Sequence, residues 1–95
     1  MIGRKDYKVP GGKLIRVEIE IDAGVVRRAA VKGDFFAHPE EAFERAESGL
    51  AGLHVEELPS SARQLFGEGL LAIFGATPDD IAFALEGAAR EAQGH

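Results

Sequence analysis

The sequence predicts an α+β domain in which a small antiparallel sheet comes first and about three helices pack against one of its faces. A β-hairpin pattern covers residues 13–33, and amphipathic helical patterns fill the second half of the chain. With 95 residues, the chain has room for one domain with one small core. We therefore expect a single domain over residues 1–95.

The first long strand is indicated by strict alternation of apolar and charged side chains. The apolar residues share one parity and are all β-branched: Ile15, Val17, Ile19 and Ile21. A period of two places them on a buried face and leaves the charged residues between them in solvent. Asp22-Ala23-Gly24 then supplies a turn in which Gly24 can adopt a positive φ.

A second strand is expected over residues 25–33. Its alternation is poorer, because it opens with two adjacent valines and Arg27 shares the parity of the later apolar residues. This irregularity predicts a bulge or a shift of register. A short third strand is expected at residues 7–9, before the turn at Pro10-Gly11-Gly12.

The first helical pattern follows the second strand. We expect the helix to begin at Pro39, with Glu40 and Glu41 near the positive end of its dipole, and to stop at Gly52. Spacings of three and four residues indicate one apolar stripe along it. The stripe consists of Phe43, Ala46, Leu50 and Leu53.

Two further helices complete the predicted fold. One runs from Pro59 to Gly75, although Gly67 and Gly69 weaken it. Its inner face is expected to carry Leu65, Phe66, Leu70 and Ile73. The last helix begins at Thr77, a capping residue that proline and two aspartates follow. Its inward-facing residues are Ile81, Leu85 and Ala88, and residues 91–95 are expected to fray.

Composition and charge disfavour or exclude several classes of function. The net charge of −5 disfavours a nucleic-acid binder, which normally presents a basic face. The absence of cysteine excludes disulfides, thiolate–zinc sites and cysteine nucleophiles. No apolar run is long enough to cross a bilayer, and the N-terminus lacks the apolar core of a signal peptide. We expect a cytoplasmic protein with neither nucleic-acid nor membrane partners.

Gly11-Gly12-Lys13 is similar to part of a phosphate-binding loop. The motif is incomplete, because Tyr7 stands where it requires glycine and Leu14 stands where it requires Ser or Thr. A flexible turn is the favoured interpretation. A weaker role remains open, in which the glycine amides and Lys13 meet an anion that a partner supplies.

No other residues indicate catalysis. The histidines share no ligand spacing, so we predict no metal site. Helix dipoles or a solvated strand face explain the carboxylate pairs, and no apolar surround is present that would raise a carboxyl pKa for acid catalysis. We therefore predict no catalytic residue in this chain.

Phe35-Phe36 requires a separate explanation. Adjacent residues on a strand point to opposite faces, so both rings cannot enter a one-sided core. The second ring is covered by the loop before Pro39, by a helix edge or by another protein, and we expect Phe36 to fold back over the first helix. Asp34 either caps a turn or anchors a loop that is presented to a partner.

Several segments together resemble the C-terminal accessory domain of lipoate-protein ligases. The most specific is Gly33-Asp34-Phe35-Phe36, with Pro39-Glu40-Glu41 leading a helix. The others are Lys13-Leu14-Ile15-Arg16-Val17, Leu50-Ala51-Gly52-Leu53 and Thr77-Pro78-Asp79-Asp80-Ile81. The similarity extends over residues 7–89.

The resemblance implies an α+β fold and a role beside a large catalytic domain. In that family, lipoate and ATP give lipoyl-adenylate and pyrophosphate, and the lipoyl group then moves to a lysine of an acceptor domain. The accessory domain is associated with the activation step and shifts over the active site, and in some organisms it is a separate polypeptide. The chain starts at Met1 and is similar to such a subunit.

The resemblance also implies which functions belong to the catalytic subunit and which to this chain. We expect a heterodimer with the catalytic subunit, which contributes the catalytic lysine and uses ATP, Mg and lipoate, while this chain alone binds no cofactor. Gly11, Gly12 and Lys13 are expected to lie near the adenylate, and Asp34, Phe35 and Phe36 at the partner interface. The alternative is a non-catalytic, self-associating or adaptor domain, which would form a stable homodimer.

Overall fold

A three-stranded antiparallel sheet is formed by the first third of the chain in this computed structural model, which describes residues 1–94. Its strands are β1 (Ile2–Lys8), β2 (Leu14–Asp22) and β3 (Val25–Gly33), with β2 in the middle. The predicted hairpin is confirmed. The N-terminal strand is longer than residues 7–9, because it pairs along nearly all of β2. The strand is rich in charged residues and shows no apolar alternation, so the sequence pattern did not predict its full length. An edge strand needs few apolar side chains.

The register of the hairpin confirms the predicted bulge. Glu20 lies opposite Arg28, but Ile21 lies opposite Val26, so Arg27 is the extra residue. The alternating apolar residues of β2 lie on the inner face of the sheet, where they form part of the hydrophobic core. Ile15, Val17, Ile19 and Ile21 are all buried.

The first helix, α1 (Glu40–Ser48), begins one residue later and ends earlier than expected. Pro39 is its N-cap and not its first helical residue, and the helix stops four residues before Gly52. Leu50 therefore lies in a turn, yet it is fully buried. The predicted stripe identified core residues correctly but placed the helix end wrongly, because a turn can continue an apolar face that a helix begins.

The second helix, α2 (Leu58–Gly67), is shorter than expected and follows a 3₁₀ turn at Val55–Glu57. The prediction that this helix continues to Gly75 is wrong, because Gly69 adopts a φ of +64° and Leu70 is 91% exposed. Ile73 lies instead on β5 (Ala72–Phe74), which pairs antiparallel with β4 (Phe36–His38). This two-stranded sheet was not predicted, since three residues show no periodicity.

The last helix, α3 (Pro78–Ala92), lies across the inner face of the sheet and packs against β1, β2 and α2. Thr77 caps it as predicted: its Oγ1 accepts from the Asp80 amide at 3.1 Å. Fraying does not begin at residue 91, because Ala92 is still helical and buried. A Cβ on Gly3 would overlap the α3 backbone at Ala88, so this glycine permits the close approach of β1.

The predicted α+β class is confirmed, with α1, α2 and α3 as the α-helices of residues 1–94. The predicted inward residues of α3 are fully buried: Ile81, Leu85 and Ala88. Within the same residues, no helix has both the length and the apolar character needed to cross a membrane. His95, the end of the segment that was expected to fray, lies outside the described residues.

Candidate functional site

The two groups of predicted site residues lie side by side at one end of the molecule. Residues 11–13 connect β1 to β2, and residues 34–35 connect β3 to β4. The Leu14 amide donates to Oδ1 of Asp34 at 2.8 Å, and the Asp34 amide donates to the Leu14 carbonyl at 3.3 Å. Asp34 therefore extends the β2–β3 pairing past the strand ends and ties the two loops together.

A third loop, between β5 and α3, meets the other two. The Lys13 amide donates to the Gly75 carbonyl at 3.1 Å. Gly75 has a φ of +98°, and a Cβ there would lie 2.5 Å from Cγ of Lys13 and 3.5 Å from Cβ of Phe35. We call residues 11–13, 33–36 and 74–77 the three-loop end. Sequence reasoning treated Gly75 only as a helix stop, although a glycine just before the Thr77 cap was the available signal.

The backbone of the Gly-Gly-Lys turn is largely occupied by its own hydrogen bonds. The Gly12 amide donates to the Val9 carbonyl at 2.8 Å, and the Val9 amide donates to the Lys13 carbonyl at 3.0 Å. Since the Lys13 amide binds Gly75, two of the amides that could cradle an anion are already used. The Lys13 side chain is exposed and has no ion pair within residues 1–94, so its ammonium is the group that an external anion would meet.

The two phenylalanines of the 34–36 segment have opposite environments. Phe35 is half-buried, and its ring lies 5.7 Å from that of Phe43 on α1, which in turn lies 5.2 Å from the buried ring of Phe66. Phe36 is 75% exposed. The expectation that Phe36 folds over the first helix is therefore wrong. Phe35 makes that contact, because Phe36 has already entered β4 and points away from the core.

An exposed aromatic pair forms the outer surface of the three-loop end. Phe36 lies directly opposite Phe74 in the β4–β5 register, so both side chains are on the same face, and Phe74 is 62% exposed. The adjoining hollow has a volume of about 450 Å³ and is lined by Val9, Gly11, Gly12, Ile73, Phe74, Gly75, Ala76, Thr77 and Asp80. Clustered exposed aromatic rings are typical of protein–protein contact surfaces.

The charged network on the outer face of the sheet lies away from this end. Glu18 accepts from Nη2 of Arg28 at 2.9 Å and from Nε of Arg4 at 2.6 Å. These hydrogen bonds, first that from Arg28 and then that from Arg4, lower the pKa of Glu18, and the bond to Glu18 raises the pKa of Arg28. The network is exposed to solvent and its charges are paired with one another, so it forms an ordinary charged surface and not a reactive site.

The part of the chain from 1 to 94 contains no cluster of three or more His, Cys, Asp or Glu side chains placed to hold a metal ion, and it buries no polar or charged side chain. What the three-loop end can do chemically is contact another protein through its aromatic pair and bring one ammonium group to an anion.

A second concavity lies beside the three-loop end, between β3 and α1. It has a volume of about 550 Å³. Its lining combines strand, loop and helix residues: Val31, Lys32, Gly33, Phe35, Phe36, Ala37, Glu40, Phe43, Glu44 and Glu47. We call it the β3–α1 groove.

Comparison with known proteins identifies similar chains, although no protein-family model matches. The sequence is 32% identical over 85 residues to lipoate-protein ligase A subunit 2 of Thermoplasma acidophilum, an alignment that covers 90% of this chain and 88% of that protein. The fold is similar, with a TM-score of 0.78 and 30% identity, to a chain in the structure of a bi-partite lipoate protein ligase and its E2 lipoyl domain from the same archaeon. That match covers 90% of this chain and 94% of the other.

Proposed function

Because this chain belongs to the family of lipoate-protein ligase A subunit 2, we propose that it binds a catalytic ligase subunit and acts with it in the ATP-dependent activation of lipoate. The family resemblance drawn from the sequence is thereby confirmed. The chain is an accessory subunit of a two-part lipoate-protein ligase, and the reaction centre belongs to its partner. Lipoyl-adenylate forms first, and the lipoyl group is then transferred to a lysine of an acceptor domain.

The observation that carries the proposal is the continuity of the three-loop end. Phe74, which pairs with the exposed Phe36, lines the same hollow as Gly11 and Gly12, and the Gly75 carbonyl accepts from the Lys13 amide at 3.1 Å. A subunit that covers a partner's active site needs an apolar docking surface and, next to it, a group suited to the charge of the intermediate. Both features are present on one end of this small domain.

In this proposal the aromatic pair docks on the catalytic subunit. Phe35 holds the segment in place through its contact with Phe43, and Asp34 ties it to the neighbouring loop. The roles of Asp34, Phe35 and Phe36 at an interface stay predictions, as does the cytoplasmic location. The partner would be joined in a heterodimer, and lipoyl acceptor domains would meet the complex and not this chain alone.

Lys13 is assigned to the activation step. Its ammonium fits a phosphate oxygen of ATP or of the adenylate, whereas the occupied amides of Gly12 and Lys13 do not form a phosphate cradle. ATP and Mg supply the activating phosphoryl chemistry, and we assign the binding of both, and of lipoate, to the catalytic subunit. Closure of this chain over that site would exclude water, which protects an adenylate from hydrolysis.

Lipoyl-adenylate formation by the cognate catalytic subunit, measured with and without this chain, tests the proposal. We expect formation to depend on the added chain and the two proteins to co-elute. Equal activity without the chain, together with separate elution, would refute it. A stable homodimer that ignores the catalytic subunit would instead support the adaptor alternative.

A further inference from the structure

The β3–α1 groove lies along a strand edge that the chain has only half covered. β3 is an outer strand of the three-stranded sheet. The start of this edge is paired: the Val26 amide donates to the Leu53 carbonyl at 2.8 Å, and Val25 forms an antiparallel bridge with His54. An extended segment of the chain itself therefore already adds to this edge. Within residues 1–94, no strand pairs with the remainder of the edge, and its last part, Val31, Lys32 and Gly33, lines the groove.

The uncovered part of the edge presents backbone donors to the groove. The Val31 amide points away from β2 and donates to Oε2 of Glu47 on α1 at 2.7 Å. Ala29 and Gly33 share its parity, so in an antiparallel pair their amides point toward the same side. Glu47 thus occupies the position that a backbone carbonyl of a fourth strand would take. Charged side chains that shield a strand edge in this way keep it from pairing indiscriminately.

The walls of the groove combine apolar surface with unneutralised negative charge. Phe35 and Phe43 contribute the apolar part, while Glu40, Glu44 and Glu47 line the helix side. None of these glutamates forms an ion pair within residues 1–94. Lys32 is the one cationic residue in the lining. The groove therefore complements a segment that carries both basic and apolar side chains.

We propose that the β3–α1 groove binds an extended segment of the catalytic subunit, basic and apolar in alternation, as an added strand on β3. This inference rests on the proposed function and names the mode by which the two subunits join. The Val31 amide donates to a backbone carbonyl of the segment, and Glu47 turns to pair with one of its basic side chains. Alternate side chains of an added strand face opposite sides, so the apolar ones reach the two phenylalanine rings.

Amide hydrogen exchange of the ¹⁵N-labelled chain, free and with the unlabelled cognate catalytic subunit, tests the pairing. We expect exchange at Ala29 and Gly33 to slow by about ten-fold or more in the complex, because both amides gain backbone acceptors. A complex that forms without such protection overturns the added strand but leaves the proposed function intact. Failure to form any complex overturns both.

A matched pair of charge variants tests the acidic wall. Glu44→Gln removes a carboxylate from the groove, whereas Glu41→Gln removes one from an exposed position of the same helix outside it. We expect Glu44→Gln to raise the Kd of the subunit complex by roughly three-fold and to weaken its salt dependence, with Glu41→Gln close to wild type. Equal effects of the two variants, or none from Glu44→Gln, would overturn the assignment of a basic partner segment to this groove.

Discussion

The outer face of the sheet and the three-loop end are both exposed, yet their side chains are arranged in opposite ways. On the sheet, Arg4 and Arg28 converge on Glu18, and Arg16 faces Asp6, so charges are satisfied within the chain. At the three-loop end, Phe36 and Phe74 remain uncovered. A surface whose charges are paired within the chain is stable in contact with water, whereas burial of an exposed aromatic pair against a partner is favourable. The three-loop end is therefore the surface suited to contact with another protein.

Charge is also divided along the chain. Residues 1–33 contain eight Lys or Arg and four Asp or Glu. Residues 34–95 contain three Lys or Arg and twelve Asp or Glu. The net charge of −5 is therefore the sum of a basic sheet segment, residues 1–33, and a strongly acidic segment, residues 34–95, that contains the helices. A partner in the β3–α1 groove would meet the acidic segment at the α1 wall, and a phosphate near Lys13 would meet the basic segment.

The largest effect is expected from removing the aromatic pair. Phe36→Ala combined with Phe74→Ala should raise the Kd for the catalytic subunit by about 100-fold, because buried aromatic anchors dominate interface energies. Stability should change little, since both rings are exposed in the free chain. Isothermal titration calorimetry measures the affinity.

Phe83→Ala is the matched control for that double variant. Phe83 is 51% exposed, but it lies on α3 beside Tyr7 and not at the three-loop end. We expect its affinity for the catalytic subunit to remain near wild type. A similar loss of binding in Phe83→Ala, or none in the double variant, would remove the distinction between the three-loop end and the rest of the surface.

The next effect concerns the activation step. Lys13→Ala should lower the rate of lipoyl-adenylate formation by about ten-fold or more while leaving the Kd for the catalytic subunit nearly unchanged, because the ammonium acts on developing phosphate charge. Lys13→Arg should restore much of the rate. If Lys13→Ala leaves adenylate formation at the wild-type rate, the lysine has no part in activation.

Phe35→Ala should act through stability, unlike Phe36→Ala. Phe35 is half-buried and packs on Phe43, so truncation should lower the free energy of unfolding by about 1–2 kcal/mol. Denaturant unfolding of the two single variants makes the comparison. Equal stability of Phe35→Ala and wild type would contradict the assignment of this ring as the anchor of the segment.

The smallest effect is expected on the outer face of the sheet. Bonds from Arg28 and Arg4 hold the pKa of Glu18 below its ordinary value of 4.5, so the ionised carboxylate stabilises the fold at neutral pH. That contribution is lost as the pH falls from about 4.5 through the lowered pKa of the folded state. The stability difference between wild type and Glu18→Gln should therefore shrink with acid, while subunit binding stays unchanged. A pH-independent difference would refute this account.

The sequence and the structure agree best where the pattern is local. The alternation along β2, the bulge at Arg27 and the Thr77 cap each depend on residues within a few positions of one another, and all three predictions are confirmed. The second helix was placed wrongly because Leu70 and Ile73 fit a helical spacing. Two glycines and the pairing of β5 with β4 override that spacing.

The candidate site was predicted in parts and not as a whole. Residues 11–13 and 34–36 were singled out, but no local pattern indicated that Asp34 bonds Leu14, or that Gly75 accepts from Lys13 where a Cβ would also approach Phe35. Phe35, and not Phe36, packs against the first helix. The alternation of a strand predicts that two adjacent rings face opposite sides, but it does not predict which of the two meets the core. The end of α1 was placed four residues too late for a similar reason. A buried turn after a helix can continue the apolar face of that helix, so the apolar pattern does not mark the residue at which the helix ends.

The sequence by itself determined the class of the fold, the buried face of β2, the start of α3 and the family to which the chain belongs. Each of these follows from short-range periodicity, from capping chemistry or from residue identity, all of which can be read along the chain. Only the tertiary structure decided the β4–β5 pairing, the convergence of the three loops, the exposure of Phe36 and the groove beside β3. These depend on contacts between segments far apart in the chain, and such contacts are set by how the whole core packs.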